Sequence, residues 1–522
     1  MKFDNKIMLI TYADSLGKNL RELDEVLATH FDQAVGGVHI LPFFPSSADR
    51  GFAPMRYDIV DPAFGSWDDV RRIGQRRYLM FDFMINHISR HSPYFEDFLA
   101  KKDASEFSDF FIRYKDFWRK EGGFPTREEV DAIYKRKPRA PYVEVPFADG
   151  TSEKLWCTFG EEQIDINVRS ERAQRFFKET LEHMANNNAS IIRLDAFAYA
   201  VKKAGTSCFF VQPETGKLLQ EMQKVIDPFG TMVLPEIHEH YTIQMKVAQM
   251  GYWIYDFALP VLTLHALYSG DGHHLKRWID MSPKHQFTTL DTHDGLGIVD
   301  VKDLLPDEAV DFTKEKMFSE GANVKRIYNT EAYNNLDIYQ VNTSYYSALG
   351  NDDDAYLLAR AIQFFAKGIP MVYYVGLLAG ANDLELLEAT KEGRNINRHY
   401  YTLEEIAREV ERPVVRRLIE LMELRNAHPA FDVEGECEVT VGEGGALTIR
   451  RTSPYHVFDS VSSGCCHRIY HSYDTEDTYF ILSQAITFTH CKSIGAKNTL
   501  LLPFTLRILS GLYIQGLCPL ST

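Results

Sequence analysis

Basic charge is in short supply in this chain, and no long apolar run occurs before residue 500. Fifty-seven Lys and Arg stand against 73 Asp and Glu, a net charge of −16. That balance argues against general affinity for nucleic acid or anionic membrane, and it requires any anionic substrate to find a local basic pocket. Cysteine is sparse and odd in number, seven in 522 residues. Cys157 and Cys208 stand alone, while Cys437, Cys465, Cys466, Cys491 and Cys518 crowd into the last part of the chain, a pattern that does not read as a disulfide framework. No Cys/His cluster has ligand spacing in the part of the chain read below as a barrel, and Asn351-Asp352-Asp353-Asp354 lacks the spaced ligands and glycine of a calcium loop, so no metal is expected. The absence of a Gly-rich nucleotide motif leaves nucleotide chemistry unsupported, and no cofactor is expected. The apolar stretch Ile7–Ile10 is too brief for a signal-peptide core and no small-residue cleavage site follows it, which leads to an expected cytoplasmic location. Leu500–Cys518 is mostly apolar and about as long as a membrane span. Pro503, Arg507 and two glycines within it favour a sheet-forming or poorly packed tail instead.

What is present is ordinary for a soluble globular protein, 45% apolar and 25% charged, and strongly patterned. Eight short β-rich runs recur: Lys6–Tyr12, Gly37–Leu41, Tyr78–Ile85, Ser190–Phe197, Thr231–Ile237, Trp253–Leu259, Phe287–Asp294 and Ile369–Gly376. Amphipathic stretches lie between them, among them Leu16–His30, Ser66–Arg76 and Ser170–Asn187 with serine N-caps, and Asp354–Lys367. Alternation of strand and helix predicts a parallel sheet, and eight repeats predict an α/β fold closed as a (β/α)8 TIM barrel. Two intervals are too long for one helix. The expected organisation is therefore barrel over 1–86, an inserted domain over 87–168 after strand three, barrel over 169–294, a loop subdomain over 295–353 after strand seven, barrel over 354–433, and a small C-terminal β domain with an atypical tail over 434–522. A charged helical segment is expected over Thr402–Asn426, and one or two strands over Glu434–Arg451.

The fourth of these runs, Ile191–Tyr199, carries Arg193 and Asp195 on one face of a strand, because residues i and i+2 point the same way. Three further polar clusters end strands: Asp82–His87, Pro235–His238 and Asp291–Asp294. In a barrel all four converge on one mouth. Neighbouring strands lie about 4.8 Å apart, so the carboxyls of Asp195 and Glu236 can approach to about 5–5.5 Å, the separation of a retaining glycoside pair rather than of an inverting one. Asp195, lowered in pKa by Arg193, suits the nucleophile, and Glu236 suits the proton donor. Asp294 is a third carboxylate, and His87 and His293 are natural hydroxyl donors. His238, two residues past Glu236, can reach an acceptor. Tyr134-Lys135-Arg136-Lys137-Pro138-Arg139 concentrates cations in an acidic chain, a run that taken alone reads as solvated surface more readily than as a local phosphate site.

Asp82–His87, Arg193–Asp195, Glu236 and His293–Asp294 resemble the four signature regions of the α-amylase superfamily of retaining α-glucoside enzymes. Ile10–Asp14, Gly37–Phe44, Arg193–Tyr199, Tyr255–Pro260, Leu290–Gly295 and Gly393–Tyr401 are similar, more narrowly, to the sucrose phosphorylase family over about residues 1–450. The resemblance implies sucrose and inorganic phosphate as partners, a hexosyltransferase reaction and a β-glucosyl intermediate on Asp195, with Glu236 as acid and base. It implies a glucosyl site of Asp49, His87, Arg193, His293, Asp294 and Arg398, an apolar wall of Phe52 and Phe159, and a polar contact from Gln163. It also implies that the basic strip lies beside the mouth, with Arg136 and Lys137 the leading candidates for a phosphate site, and a loop that presents Asp337 and Gln340 to fructose or Tyr339 to phosphate. Some members have proline then arginine where this chain has Arg136 then Lys137; the extra arginine is reminiscent of relatives that prefer sucrose 6′-phosphate, while Tyr339 matches enzymes for plain sucrose. The stretch after Thr452 departs from the family pattern. Hydrolysis or transglucosylation by the same trio, and sugar binding without turnover, are the competing readings. A homodimer is one arrangement the sequence allows.

Overall fold

Each of the eight β-rich runs folds as a strand: β1 (Met8–Thr11), β2 (Gly37–Ile40), β3 (Tyr78–Met84), β4 (Ala189–Asp195), β5 (Met232–Pro235), β6 (Ile254–Asp256), β7 (Gln286–Thr289) and β8 (Ile369–Tyr373). The computed structural model describes residues 3–120, 124–136, 140–323, 340–442, 445–453, 483–487 and 507–510, the last two as backbone alone. The strands join in parallel in the order 6-7-8-1-2-3-4-5, a nearly closed barrel whose two ends are the sequence neighbours β5 and β6. Nearly continuous apolar strands are what a parallel sheet covered by helices requires. All seven residues of β3 are buried, and so are the first six of β4.

The helices between strands start where short polar side chains can accept the free backbone N–H groups of the first turn. Ser66 and Asp69 form a capping box, Ser170 accepts from Ala173, and Asp352 accepts from Ala355. Helix Leu20–His30 begins four residues later than its apolar pattern predicts, because Asn19 caps it. The charged helical segment expected over Thr402–Asn426 is helical, in two pieces, Leu403–Glu409 and Pro413–Ala427. Pro413 lacks the N–H that a continuous helix needs and opens the second instead.

Between β3 and β4 the chain makes an antiparallel pairing of His87–Ser89 with Gln163–Asp165 and a hairpin of Tyr142–Pro146 with Ser152–Trp156. Buried Lys202, past the end of β4, pairs with Asp165 at 2.7 Å and so ties this excursion to the barrel. After β7, Leu296–Gly297 pairs with Gln340–Val341. At the C-terminus Glu436–Val441, Leu447–Thr452, Ser483–Thr487 and Arg507–Ser510 form a four-stranded antiparallel sheet. The apolar tail thus contributes a strand, and among the described residues no helix is long and apolar enough to cross a membrane.

Candidate active site

The register of the barrel brings charged residues to one level. Arg193 on β4 is opposite Asp82 on β3, and Asp195 is opposite Met84; Leu194 is opposite Pro235 on β5, so Glu236 follows at the next step. The buried Arg193 guanidinium collects them. Its Nη1 donates to Asp82 Oδ1 at 2.5 Å and to Asp195 Oδ1 at 2.7 Å, and Nη2 lies 3.9 Å from Glu236 Oε1. Asp82 also meets His39 Nε2 at 2.7 Å; burial would raise it, yet His39 and Arg193 hold it down at about 2. Directly after Asp195 the chain turns off the strand through Ala196, at φ 53°. This left-handed conformation is costly for a residue with a Cβ, and it aims the Ala196 N–H at Glu236 Oε2, 3.0 Å away.

One electrostatic expectation is reversed. The sequence predicts that Arg193 lowers Asp195, but burial outweighs that attraction, and Glu236, Asp82 and Asp294 add repulsion, so Asp195 is pushed up to about 8. One guanidinium already engaged with Asp82 cannot neutralise three further carboxyls in a desolvated pocket. Asp195 therefore holds a proton more readily than a free carboxyl does, and the Glu236 charge is one of the reasons. Asp294 goes the other way. Burial opposes its charge, but Arg394, His293, His238 and Arg193 hold it far below the carboxylate range, and Arg394 Nη1 is 3.0 Å from its Oδ1.

The aromatic wall is assembled from the turn after β2 and from the excursion after β3. Phe52 stacks on His293 with centroids 4.8 Å apart and planes 4° from parallel. Its carbonyl lies 2.9 Å from His87 Nε2 and accepts from Gln163 Nε2 at 2.9 Å. His87 therefore turns Nε2 toward backbone, leaving Nδ1 beside Asn86. Burial keeps both His87 and His293 below the ordinary imidazole value, so both are neutral. His293 Nδ1 is buried without a hydrogen-bond partner among the described residues, and its carbonyl accepts from Arg398 Nε and Nη2 at 3.1 and 2.9 Å. Asp49 and Arg50 take φ values of 52° and 48°. Arg50 holds the turn by donating to Ser15 Oγ at 2.9 Å and by standing 3.9 Å over the Tyr12 ring and 4.2 Å over that of Tyr400.

Toward the acceptor side, Phe159 touches His87 and Tyr199 with centroids 5.5 and 5.1 Å apart, and Tyr199 packs near Tyr134 at 5.9 Å. A small cavity lined by Tyr134, Arg136, Tyr199 and Lys202 lies beyond them. The ring series thus links the predicted glucosyl wall to Arg136. Lys135, from the same basic strip, is paired with Asp131 at 3.2 Å. Gln340 sits on the short ladder opposite Gly297, and His238 lies 3.9 Å from Glu236. Lys137, Asp337 and Tyr339 lie outside the described residues.

Sequence reasoning gave no role to His39, Asp82, Arg394 or Asp300. Asp82 and Arg394 fall inside stretches already singled out, and an aspartate buried mid-strand was itself a signal that a cation faced it. Arg394 carried no such mark, since only the fold brings it to Asp294.

A family model for the α-amylase catalytic domain matches residues 32–263. The chain is 58% identical to the sucrose phosphorylase of Streptococcus mutans over 451 residues, 86% of this chain and 93% of that one. It is 40% identical to the glucosylglycerol phosphorylase of Marinobacter adhaerens over 480 residues, 92% and 99% of the two chains. The crystal structure of sucrose 6F-phosphate phosphorylase from Thermoanaerobacter thermosaccharolyticum superposes with a TM-score of 0.82 at 39% identity, covering 94% of this chain and 93% of that one.

Proposed function

The chain belongs to the sucrose phosphorylase family of the α-amylase superfamily, and on that premise we propose that it converts sucrose and phosphate reversibly to α-glucose 1-phosphate and fructose. The observation that carries the reading is one buried guanidinium, Arg193, contacting Asp195 and lying 3.9 Å from Glu236, with Asp294 kept ionised by Arg394 beside them.

Asp195 attacks the anomeric carbon of the glucosyl unit as the bond to the fructosyl oxygen breaks. That oxygen takes its proton from Glu236, and a β-glucosyl ester forms on Asp195. The step needs Asp195 ionised and the proton on Glu236 when sucrose is bound, and a glucosyl unit whose anomeric carbon gains positive charge favours an ionised Asp195. In the second displacement a phosphate oxygen attacks the same carbon, the ester breaks, and Glu236 takes up any proton the phosphate releases. Two inversions leave the α configuration. Asp294, ionised throughout, opposes the positive charge that develops on the sugar, while neutral His87 and His293 address hydroxyls without adding charge that would oppose it. Phe52 and Phe159 offer ring faces to the sugar's C–H surface.

A second acceptor is favoured by a specific observation: Arg136 lines a cavity beside Tyr134 and Tyr199, where a phosphorylated fructose could place its phosphate. The assay is incubation with phosphate and either sucrose or sucrose 6′-phosphate. Glucose 1-phosphate and fructose from plain sucrose support the reading. Free glucose as the main product refutes it, and turnover of the 6′-phosphate alone transfers the assignment to that substrate.

A further inference from the structure

His238 is enclosed on three sides. The Phe257 ring stacks on it at 3.7 Å, Nε2 lies 3.9 Å from Glu236 Oε1, and Nδ1 lies 3.2 Å from Oδ2 of Asp300. Asp300 sits in the helical turn Val299–Val301 and is 2% exposed. Its other oxygen has no hydrogen-bond partner among the described residues, so its polar contact is spent on one imidazole. The approach depends on a glycine. A Cβ on Gly297 would overlap Asp300 Oδ2 and stand 3.3 Å from His238 Nδ1, and Gly297 is the ladder partner of Gln340. One short ladder therefore fixes both Gln340 and the space through which Asp300 reaches His238.

The charges that act most strongly on His238 among the described residues are negative, Asp300, Glu236 and Asp294, with Glu239 facing Asp300 in turn, while the cations Arg193 and Arg394 stand behind Glu236 and Asp294. Burial disfavours charge on the ring, but these carboxylates, Asp300 foremost, hold it above the ordinary imidazole value. An imidazole with one nitrogen on a buried carboxylate and the other facing a second is stabilised as the doubly protonated cation.

We propose that Asp300 is a positioning residue for the phosphate half-reaction: by accepting from Nδ1 of His238 it keeps the ring cationic, with Nε2–H directed to the space beside Glu236 where the incoming anion attacks. This rests on phosphate being the acceptor. It supplies the local positive charge that an acidic chain must provide for such an anion, at a point next to the acid and base.

The test uses the full chain. In Asp300→Asn, kcat/KM for phosphate should fall roughly 10- to 100-fold, the worth of one charge-assisted hydrogen bond, while exchange of labelled fructose into sucrose, which reports the first displacement, falls far less. The NMR titration of His238 should move to lower pH. Gly297→Ala displaces Asp300 without removing its charge and should reproduce the pattern, and Asp300→Asn added to His238→Gln should cost nothing more. Equal losses in both half-reactions, additive losses in the double variant, or an unmoved His238 titration would overturn the proposal. Fructose exchange without any phosphorolysis in the parent enzyme would instead reject the assignment of phosphate as acceptor, and the His238 titration would still report whether Asp300 charges the ring.

Discussion

Replacing Asp195 by Asn should stabilise the fold, and more so as pH rises. The folded pocket raises this carboxyl from 3.8 to about 8, so the native state binds the proton more tightly than the unfolded chain does. Stability associated with that proton is fully present below about pH 4 and is lost as pH rises through about 8. At ~1.4 kcal/mol per pH unit, the loss is about 1–2 kcal/mol by pH 5 and at most about 5 kcal/mol by pH 8. Asparagine keeps an acceptor for Arg193 Nη1 and removes the titration. With an unfolding entropy near 2.1 cal/mol/K per residue, a chain of 522 residues converts these figures to a gain in Tm of ~1–2 °C at pH 5 and ~4–5 °C at pH 8. Scanning calorimetry of both proteins at one scan rate and several pH values measures it, and turnover should fall by about 10⁴-fold or more in the same variant. A gain that is flat with pH would show that Arg193 cancels burial, and a loss of stability at pH 8 that it outweighs burial, as the sequence alone predicts.

Arg394→Leu takes the nearest cation from Asp294, 3.0 Å away. The buried carboxyl then rises, so the acid limb of the kcat/KM profile should move to higher pH and the plateau should fall by about 10²-fold; an unmoved limb would remove Arg394 from the account of that charge. Lys202→Met strips a buried partner from Asp165, leaving an uncompensated carboxylate. Unfolding in denaturant should show a loss of about 3–5 kcal/mol, and a loss below about 1 kcal/mol would mean that the excursion after β3 is held without help from the Lys202–Asp165 pair.

The barrel was legible because its code is short-range. Eight apolar runs separated by amphipathic helices admit one economical closure, and the caps at Ser66 and Ser170 are written within four residues of the helices they start. Pro413 was equally local evidence, passed over because the charged pattern continues across it. The site was legible where residues sit on strands, since register carries Arg193, Asp195 and Glu236 to one level without knowledge of any loop. Loop-borne contacts were not. Arg394 reaches Asp294 across 100 positions, and Asp300 reaches His238 across 62, through a gap that only a glycine at 297 leaves open.

The same distinction explains why the charge on Asp195 was misjudged although its neighbour was correctly found. Adjacency along a strand supplies the sign of one interaction, whereas a pKa depends on every charge in the pocket and on how much water remains. Arg193 is shared with Asp82, a residue whose own demand comes from the adjoining strand. Burial of Asp195 beside Glu236 under one divided cation raises its hold on a proton, and the mechanism proposed above needs that proton on Glu236 instead once the sugar is bound. Full neutralisation of Asp195 by a private arginine would have made a more stable pocket and a weaker nucleophile, because a carboxylate held far below neutrality gives up more of its attraction to Arg193 when it bonds to carbon.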